Sequence, residues 1–328
     1  MTSPLSNYSL FCSTTSSFPF PEFDFPAKSQ RSSFPIVKCR SGKASDDTSG
    51  QIGFPVSRRR RTGLIFVATL PCLLPLSEAI NGFGVKALES DTAEYLRIKE
   101  EVRKVLSKGK APGILRLVFH DAGTFELAEN SGGMNGSIVY ELDRLENAGL
   151  QKSTKILEKA KIEVDAIQPV SWADMIAVAG AEAISICGGP VIQVSLGRLD
   201  SLEPDLDGKL PQESLDASSL KECFQRKGFS TQELVALSGA HTIGSKGFGN
   251  PTSFDNSYYK TLLEKPWKSS AASGMTSMIG LPSDHALVED DECLRWIKKY
   301  ADNQNMFFED FKNAYVKLVN SGVRWKRV

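Results

Sequence analysis

Three histidines, His120, His241 and His285, are the only ones in a chain of 328 residues. Histidine is the usual acid–base group near neutral pH and a common metal ligand. A zinc enzyme or multi-histidine metal protein would therefore have to spend nearly all three on one site. Arg116 and His120 are four residues apart, so on a helix they project from one face, one turn from each other. Their neighbours Leu115, Leu117, Val118 and Phe119 are apolar. Burying an arginine and a histidine on such a face costs several kcal/mol unless partners or water satisfy them. Spacing alone also allows the plainer reading, a solvated pair at the helix edge. His241 follows Leu237-Ser238-Gly239-Ala240, near the end of another apolar stretch. A lone histidine there is more often a hydrogen-bonded core residue than a ligand. No HExxH, CxxC or GxSxG pattern occurs, which argues against a zinc protease, a zinc finger and a serine hydrolase.

The elements that must position these residues are helical. From Thr92 the apolar residues 95, 96, 98, 102, 105 and 106 form an amphipathic stripe. Pro112 suits the first turn of a helix carrying Arg116 and His120, and Gly123 can end it. Ser171 with Asp174 signals a cap for SWADMIAVAGAEAISI, apolar nearly all round and so buried. Ser230 with Glu233 is a capping box opening the segment that leads to His241. A last helical stretch runs over 291–320, with a polar interruption at 302–305 that can divide it. Strand candidates such as PVIQVSLG (190–197) are few and short, and 265–280 reads as a flexible surface loop.

The first 87 residues differ from the rest. Residues 1–45 hold 11 serines, only Glu22 and Asp24 as acids, and scattered basic residues, the composition of an organelle transit peptide. Arg58 to Arg61 then precede an apolar run of about fifteen residues, shorter than the roughly twenty that a membrane span needs. A small-residue end follows at Val85-Lys86-Ala87. Together the two segments resemble the bipartite presequence that sends plant proteins through the chloroplast into the thylakoid lumen, which implies a disordered presequence with a chloroplast transit peptide over 1–57 and a twin-arginine-type thylakoid lumenal signal over 58–87. A domain over 88–328 follows, with no transmembrane segment.

At 41% hydrophobic and 24% charged, the chain has an ordinary globular composition. Thirty-nine basic residues balance thirty-nine acidic ones, so no global basic field points to nucleic acid. Ten of the basic and five of the acidic residues fall in 1–87, leaving five more acidic than basic residues in the remainder. Cys187, Cys223 and Cys293 of that remainder are too widely spaced for a disulfide framework.

The stretches ILRLVFHDAGTF (114–125) and LVALSGAHTIG (234–244) resemble the distal and proximal haem signatures of plant-type peroxidases. GGP at 188–190, GRLD at 197–200, FDNSYY at 254–259 and LPSDHAL at 281–287 match the ascorbate peroxidase branch in order. The resemblance covers nearly all of 88–328. It implies a mainly α fold, two helical lobes around a haem cleft, and one haem b per chain. His241 would be the axial iron ligand. Asp284 would accept that ligand's other ring N–H and make the imidazole more electron-donating. His120 would act as base toward hydrogen peroxide, Arg116 would stabilise charge as the O–O bond breaks, and Phe119 would fill the distal aromatic position. Lys108 matches a lysine that contacts the small reductant ascorbate, and His285 is expected at the surface.

Four departures accompany the resemblance. The family has Asn-Asn-Gly after the distal helix, its first asparagine holding the distal histidine. The corresponding GGMNG places Met134 there unless Asn135 reaches instead. The segment between His241 and FDNSYY is about ten residues short, and the missing piece carries the proximal tryptophan, a histidine near a haem propionate and an arginine that binds ascorbate. The same gap removes part of a monovalent cation site, of which Thr242 and Asp255 survive. The loop over 265–280 is longer than its family counterpart. Two functions stay open: a haem peroxidase that reduces hydrogen peroxide, with ascorbate or another reductant, and a degenerate peroxidase-fold protein acting as a binding or structural component of the thylakoid lumen.

Overall fold

Helix α1 occupies 92–105, and α2 (Ala111–Ala122) begins with Pro112 in its first turn and stops at Gly123. The computed structural model describes residues 92–264 and 279–326; the presequence over 1–87 and nearly all of the loop at 265–280 lie outside the described residues. Helices α3 (Leu150–Asp165) and α4 (Trp172–Ile186) follow, and Ser171 caps α4 by accepting the Asp174 N–H. Beyond them come α5 (Ala217–Arg226) and α6 (Thr231–Ser238), the latter opened by the complete Ser230–Glu233 capping box. Helix α6 tightens directly into a 3₁₀ turn, Gly239–Thr242, that carries His241.

Helices α7 (Ser257–Glu264) and α8 (Pro282–Leu287) precede the C-terminal stretch. That stretch divides at Asn303 into α9 (Asp291–Asp302) and α10 (Gln304–Leu318), with Asn303 accepting the Met306 N–H as the cap of α10. The expected strand at 190–197 does not form. Among the described residues only two isolated bridges occur, Glu126 with Ser131 and Arg198 with Trp325. Ile192 and Val194 are buried while Val191 is exposed. The alternation reflects an extended segment laid over the helices with no neighbouring strand to pair with.

Helices α2, α3 and α4 pack together as a first lobe. Helix α4 is its centre, as its all-round apolar sequence requires. Met175, Ile176, Val178 and Ile184 are fully buried, each contributing roughly 1.5–3 kcal/mol through removal from water. Helix α1 is pinned to α4 at Glu182, a buried carboxylate met by Lys99 at 3.1 Å and Arg103 at 2.6 Å. In the second lobe α6 packs on α9, α10 and α5, and α7 on α9.

The lobes meet where α10 crosses α4. Tyr315 donates to the Ala177 carbonyl at 2.7 Å, and a Cβ at Gly180 would collide with the Tyr315 hydroxyl. A buried ion pair, Arg198 with Asp174 at 2.9 Å, ties the start of α4 to the Val319 carbonyl and Asn320 beyond α10. The fold is mainly α, two helical lobes with a cleft between them. No described helix is long and apolar enough to cross a membrane.

Candidate active site

A cavity of about 530 Å³ opens between the lobes, a size typical of small-molecule and cofactor sites. Leu115, Phe119, Leu237, Ile243 and Leu281 supply apolar wall, and Arg116, His120, His241 and Asp284 supply its chemistry. Helix geometry explains the first pair. On α2, Ile114, Leu117 and Val118 face the core, which turns residues 116, 119 and 120 toward the cavity.

On the distal side the histidine ring is held from both edges. Its Nδ1–H donates to Asn147 Oδ1 at 2.6 Å, and Arg116 Nε donates to its Nε2 at 3.2 Å. Those partners select the tautomer with the Nε2 lone pair on the cavity side. Burial disfavours the charged ring, the Asn147 bond opposes this weakly, and the nearby Arg116 charge adds to it. The result is a pKa lowered from 6.5 to about 4. Arg116 in turn donates to the carbonyls of Ala148 at 2.8 Å and Glu146 at 2.7 Å. Phe119 stacks on Phe224 at 6.2 Å between centroids and meets His120 edge-on at 6.4 Å.

Asn147 corrects the expectation attached to Met134. Met134 is completely buried in the core, and Asn135 donates to Asp205 at 3.0 Å. Neither is the partner of His120. The signal lies in Asn147-Ala148-Gly149, just before α3, which keeps the first asparagine and the glycine of the expected triplet. Asn147 is itself fixed, donating through Nδ2 to the Glu141 carbonyl at 2.9 Å. Asp121, next to His120, joins the same loop to α2 by accepting the N–H groups of Gly136 and Ile138.

On the proximal side His241 Nδ1–H donates to Asp284 Oδ1 at 2.8 Å, leaving Nε2 for the cavity. Burial opposes charge on this ring as well, but Asp284 outweighs it and raises the pKa above 6.5. Burial alone would raise Asp284; the His241 interaction, the Leu281 N–H and the Tyr258 hydroxyl hold it below its ordinary value. Gly239 permits the approach, because a Cβ there would strike the Tyr259 hydroxyl and Phe307. Tyr258, a residue not foreseen in this role, donates to the same Asp284 oxygen at 2.8 Å and lies edge-on to His241 at 6.1 Å.

The remaining expected residues fall elsewhere. Lys108 is exposed on the turn before α2 and does not line the cavity. Thr242 Oγ1 donates to Asp255 Oδ1 at 3.0 Å, so that pair is closed on itself. His285 is half-buried rather than on the surface, its Nε2 at 2.7 Å from the Ile279 carbonyl. Cys187, Cys223 and Cys293 are free and buried.

Two histidines on separate elements facing one cavity, one beside an arginine and the other on a carboxylate, inside a two-lobed helical fold, define a peroxidase-type site. Residues 98–303 match the peroxidase family. "Putative L-ascorbate peroxidase 6" of Arabidopsis thaliana is 61% identical over 324 residues, covering 96% of this chain and 94% of that protein. "L-ascorbate peroxidase 2, cytosolic" of the same plant is 36% identical over 70% of this chain and 95% of its own length. A "Putative heme-binding peroxidase" of Cryptococcus neoformans is 37% identical over 70% of this chain and 79% of its own length. The chain belongs to the peroxidase family, in its ascorbate peroxidase branch.

Proposed function

We propose that the domain is a haem peroxidase that reduces hydrogen peroxide at the expense of a small one-electron donor of the ascorbate type. The observation that carries this reading is the pair of histidines lining one cavity, each oriented through Nδ1 by a fixed oxygen acceptor. The donor set fits the cofactor: one ring nitrogen open to an apolar cavity, with the other bonded to a carboxylate, suits an iron ligand. Bound haem b would supply the iron redox chemistry that splits the peroxide O–O bond.

The protein's part follows from its own residues. His120, neutral at physiological pH, takes a proton from peroxide at Nε2 and returns it to the departing oxygen, a transfer typically worth roughly 10²–10⁴ in rate. For this it must exchange the Arg116 Nε–H for the substrate's proton. Arg116, anchored by two loop carbonyls, keeps a positive charge facing the departing oxygen. His241 would hold the iron, Asp284 sets the basicity of that imidazole, and Phe119 keeps water off the His120 side of the cavity.

The reductant binds without the family's full set of contacts, since Lys108 stands apart from the cavity wall. We assign no monovalent cation to Thr242 and Asp255, whose hydroxyl and carboxylate are bonded to one another. For the cell, we propose the chloroplast thylakoid lumen, supported by the serine-rich, acid-poor residues 1–57 and the arginine-led apolar run of 58–87. Residues 1–87 fused to a fluorescent reporter should carry it into plastids; a cytosolic reporter would defeat this assignment.

Haemin titrated into the purified protein should give a Soret band that His241→Ala removes or shifts. Identical spectra for the two proteins would remove His241 as the ligand.

A further inference from the structure

A row of oxidisable rings leads away from the candidate iron ligand. Tyr258 lies edge-on to His241 at 6.1 Å, Tyr259 is 4.9 Å from Tyr258, Tyr300 is 5.2 Å from Tyr259, and Trp296 is 5.9 Å from Tyr300. All three tyrosines are fully buried, while Trp296 on α9 is half-exposed. The row therefore runs from the cavity wall to the surface without a gap in ring contact.

Building on the haem-peroxidase reading of the site, we propose that Tyr300 and Trp296 form an electron relay, bridged to the cavity by Tyr258 and Tyr259, that lets an anionic one-electron donor at the protein surface supply the cavity. The hydroxyl partners decide which rings can serve as stations. A tyrosine that gives up an electron must also give up its phenolic proton, so it needs a base within reach. Tyr300 donates to Asp310, a carboxylate at 2.8 Å. Tyr259 donates only to the carbonyls of Val235 and Ala236, which cannot take a proton; it acts as a bridge, as does Tyr258, whose Asp284 partner is committed to His241. Tyr315 lines the cavity directly, but its hydroxyl is held by the Ala177 carbonyl, so the same rule excludes it.

The balance closes. Peroxide takes two electrons and two protons to become two waters. Each electron leaves Tyr300 for the cavity across Tyr259 and Tyr258 as the Tyr300 proton passes to Asp310, and the two protons that peroxide takes come from solvent. Tyr300 recovers its own proton from Asp310 when Trp296 supplies an electron and releases the indole proton to solvent. The donor then reduces Trp296, which regains a proton from solvent. Lys299 lies over the Trp296 ring at 4.0 Å, and Arg295 and Lys298 are exposed beside it. That setting disfavours a ring cation, which is why the indole proton must leave, and it attracts an anionic donor. Among nearby acids, Glu292 is engaged by Lys221 at 2.9 Å.

The test uses the full chain loaded with haemin, treated with peroxide and a nitrone spin trap, and mapped by peptide mass spectrometry. The adduct should appear on Trp296 and be lost in Trp296→Phe, with the Soret band unchanged. Tyr300→Phe should also remove it, and oxidation of ferrocyanide, an anionic outer-sphere donor, should fall in both variants. Trp325 is an exposed tryptophan off this path, so Trp325→Phe should leave the adduct in place. An adduct on Trp325 instead, or none at Trp296 in a protein whose Soret band responds to peroxide, would overturn the relay. Absence of any His241-dependent Soret band is a different failure: it would overturn the site reading beneath it.

Discussion

The two histidines of the cavity are the same residue type in similar local geometry, yet they are set to opposite purposes. Each is half-buried on the cavity wall and each donates Nδ1–H to an oxygen from a distant segment, Asn147 for His120 and Asp284 for His241. Burial pushes both pKa values down. The difference lies in the acceptor. A neutral amide with a guanidinium close by leaves His120 uncharged and its lone pair available. A carboxylate reverses the effect of burial at His241 and loads electron density onto the ring. In the proposed function, one difference of oxygen type, amide against carboxylate, separates a proton acceptor from a metal ligand.

If the carboxylate defines the proximal side, removing it should have the largest effect in the molecule. Asp284→Ala orphans three donors at once: His241 Nδ1, the Tyr258 hydroxyl and the Leu281 N–H. Breaking such a buried charged cluster should lower the unfolding free energy by about 3–5 kcal/mol in urea. Asp284→Asn keeps an acceptor for the first two donors and should lose less. Equal losses for the two variants would mean that the carboxylate charge carries the whole effect and that the acceptor retained in Asp284→Asn contributes nothing.

Legibility from sequence follows the same division. The helix bearing Arg116 and His120, the buried α4, the capping box before His241 and the break near 302–305 all rest on local signals, and all form. Fold class and the His241–Asp284 pairing came through motif resemblance. The asparagine partner depends on a long loop between α2 and α3, where GGMNG and ENAGL both place an asparagine within two residues of a glycine and only the fold chooses between them. Val191 to Val194 imitates a strand because any extended segment lying on a core alternates. Tyr258 went unnoticed because an aromatic in an apolar helix reads as packing until its hydroxyl partner is known.

Asn147 is the sharper probe of the distal side. Asn147→Ala frees the His120 ring to rotate and to change tautomer, and also leaves the Glu141 carbonyl without its donor. Loss of such an orienting partner typically costs 10–100-fold in activity. The rate of reaction with peroxide, followed by stopped flow on the haem-loaded protein, should fall by about that factor, with the His241-dependent Soret band intact. A matching loss of the Soret band would show that the two sides are not separable in this way.

The smallest effect is the most direct test of the comparison. His120 has a folded pKa of about 4 against 6.5 for the free side chain. The folded state therefore binds fewer protons between these values. The stability this group contributes is present above about pH 6.5 and is lost as pH falls toward 4. The rate with peroxide should accordingly stay nearly flat from pH 7 to pH 5 and drop with a midpoint near 4. Asn147→Asp places a carboxylate where the amide was and gives His120 the kind of partner that His241 has. Its midpoint should then move upward, toward or past 6.5, so that a loss of rate appears already between pH 7 and pH 5. An unshifted profile in Asn147→Asp would show that burial and Arg116, rather than the acceptor's charge, set the distal histidine apart from the proximal one.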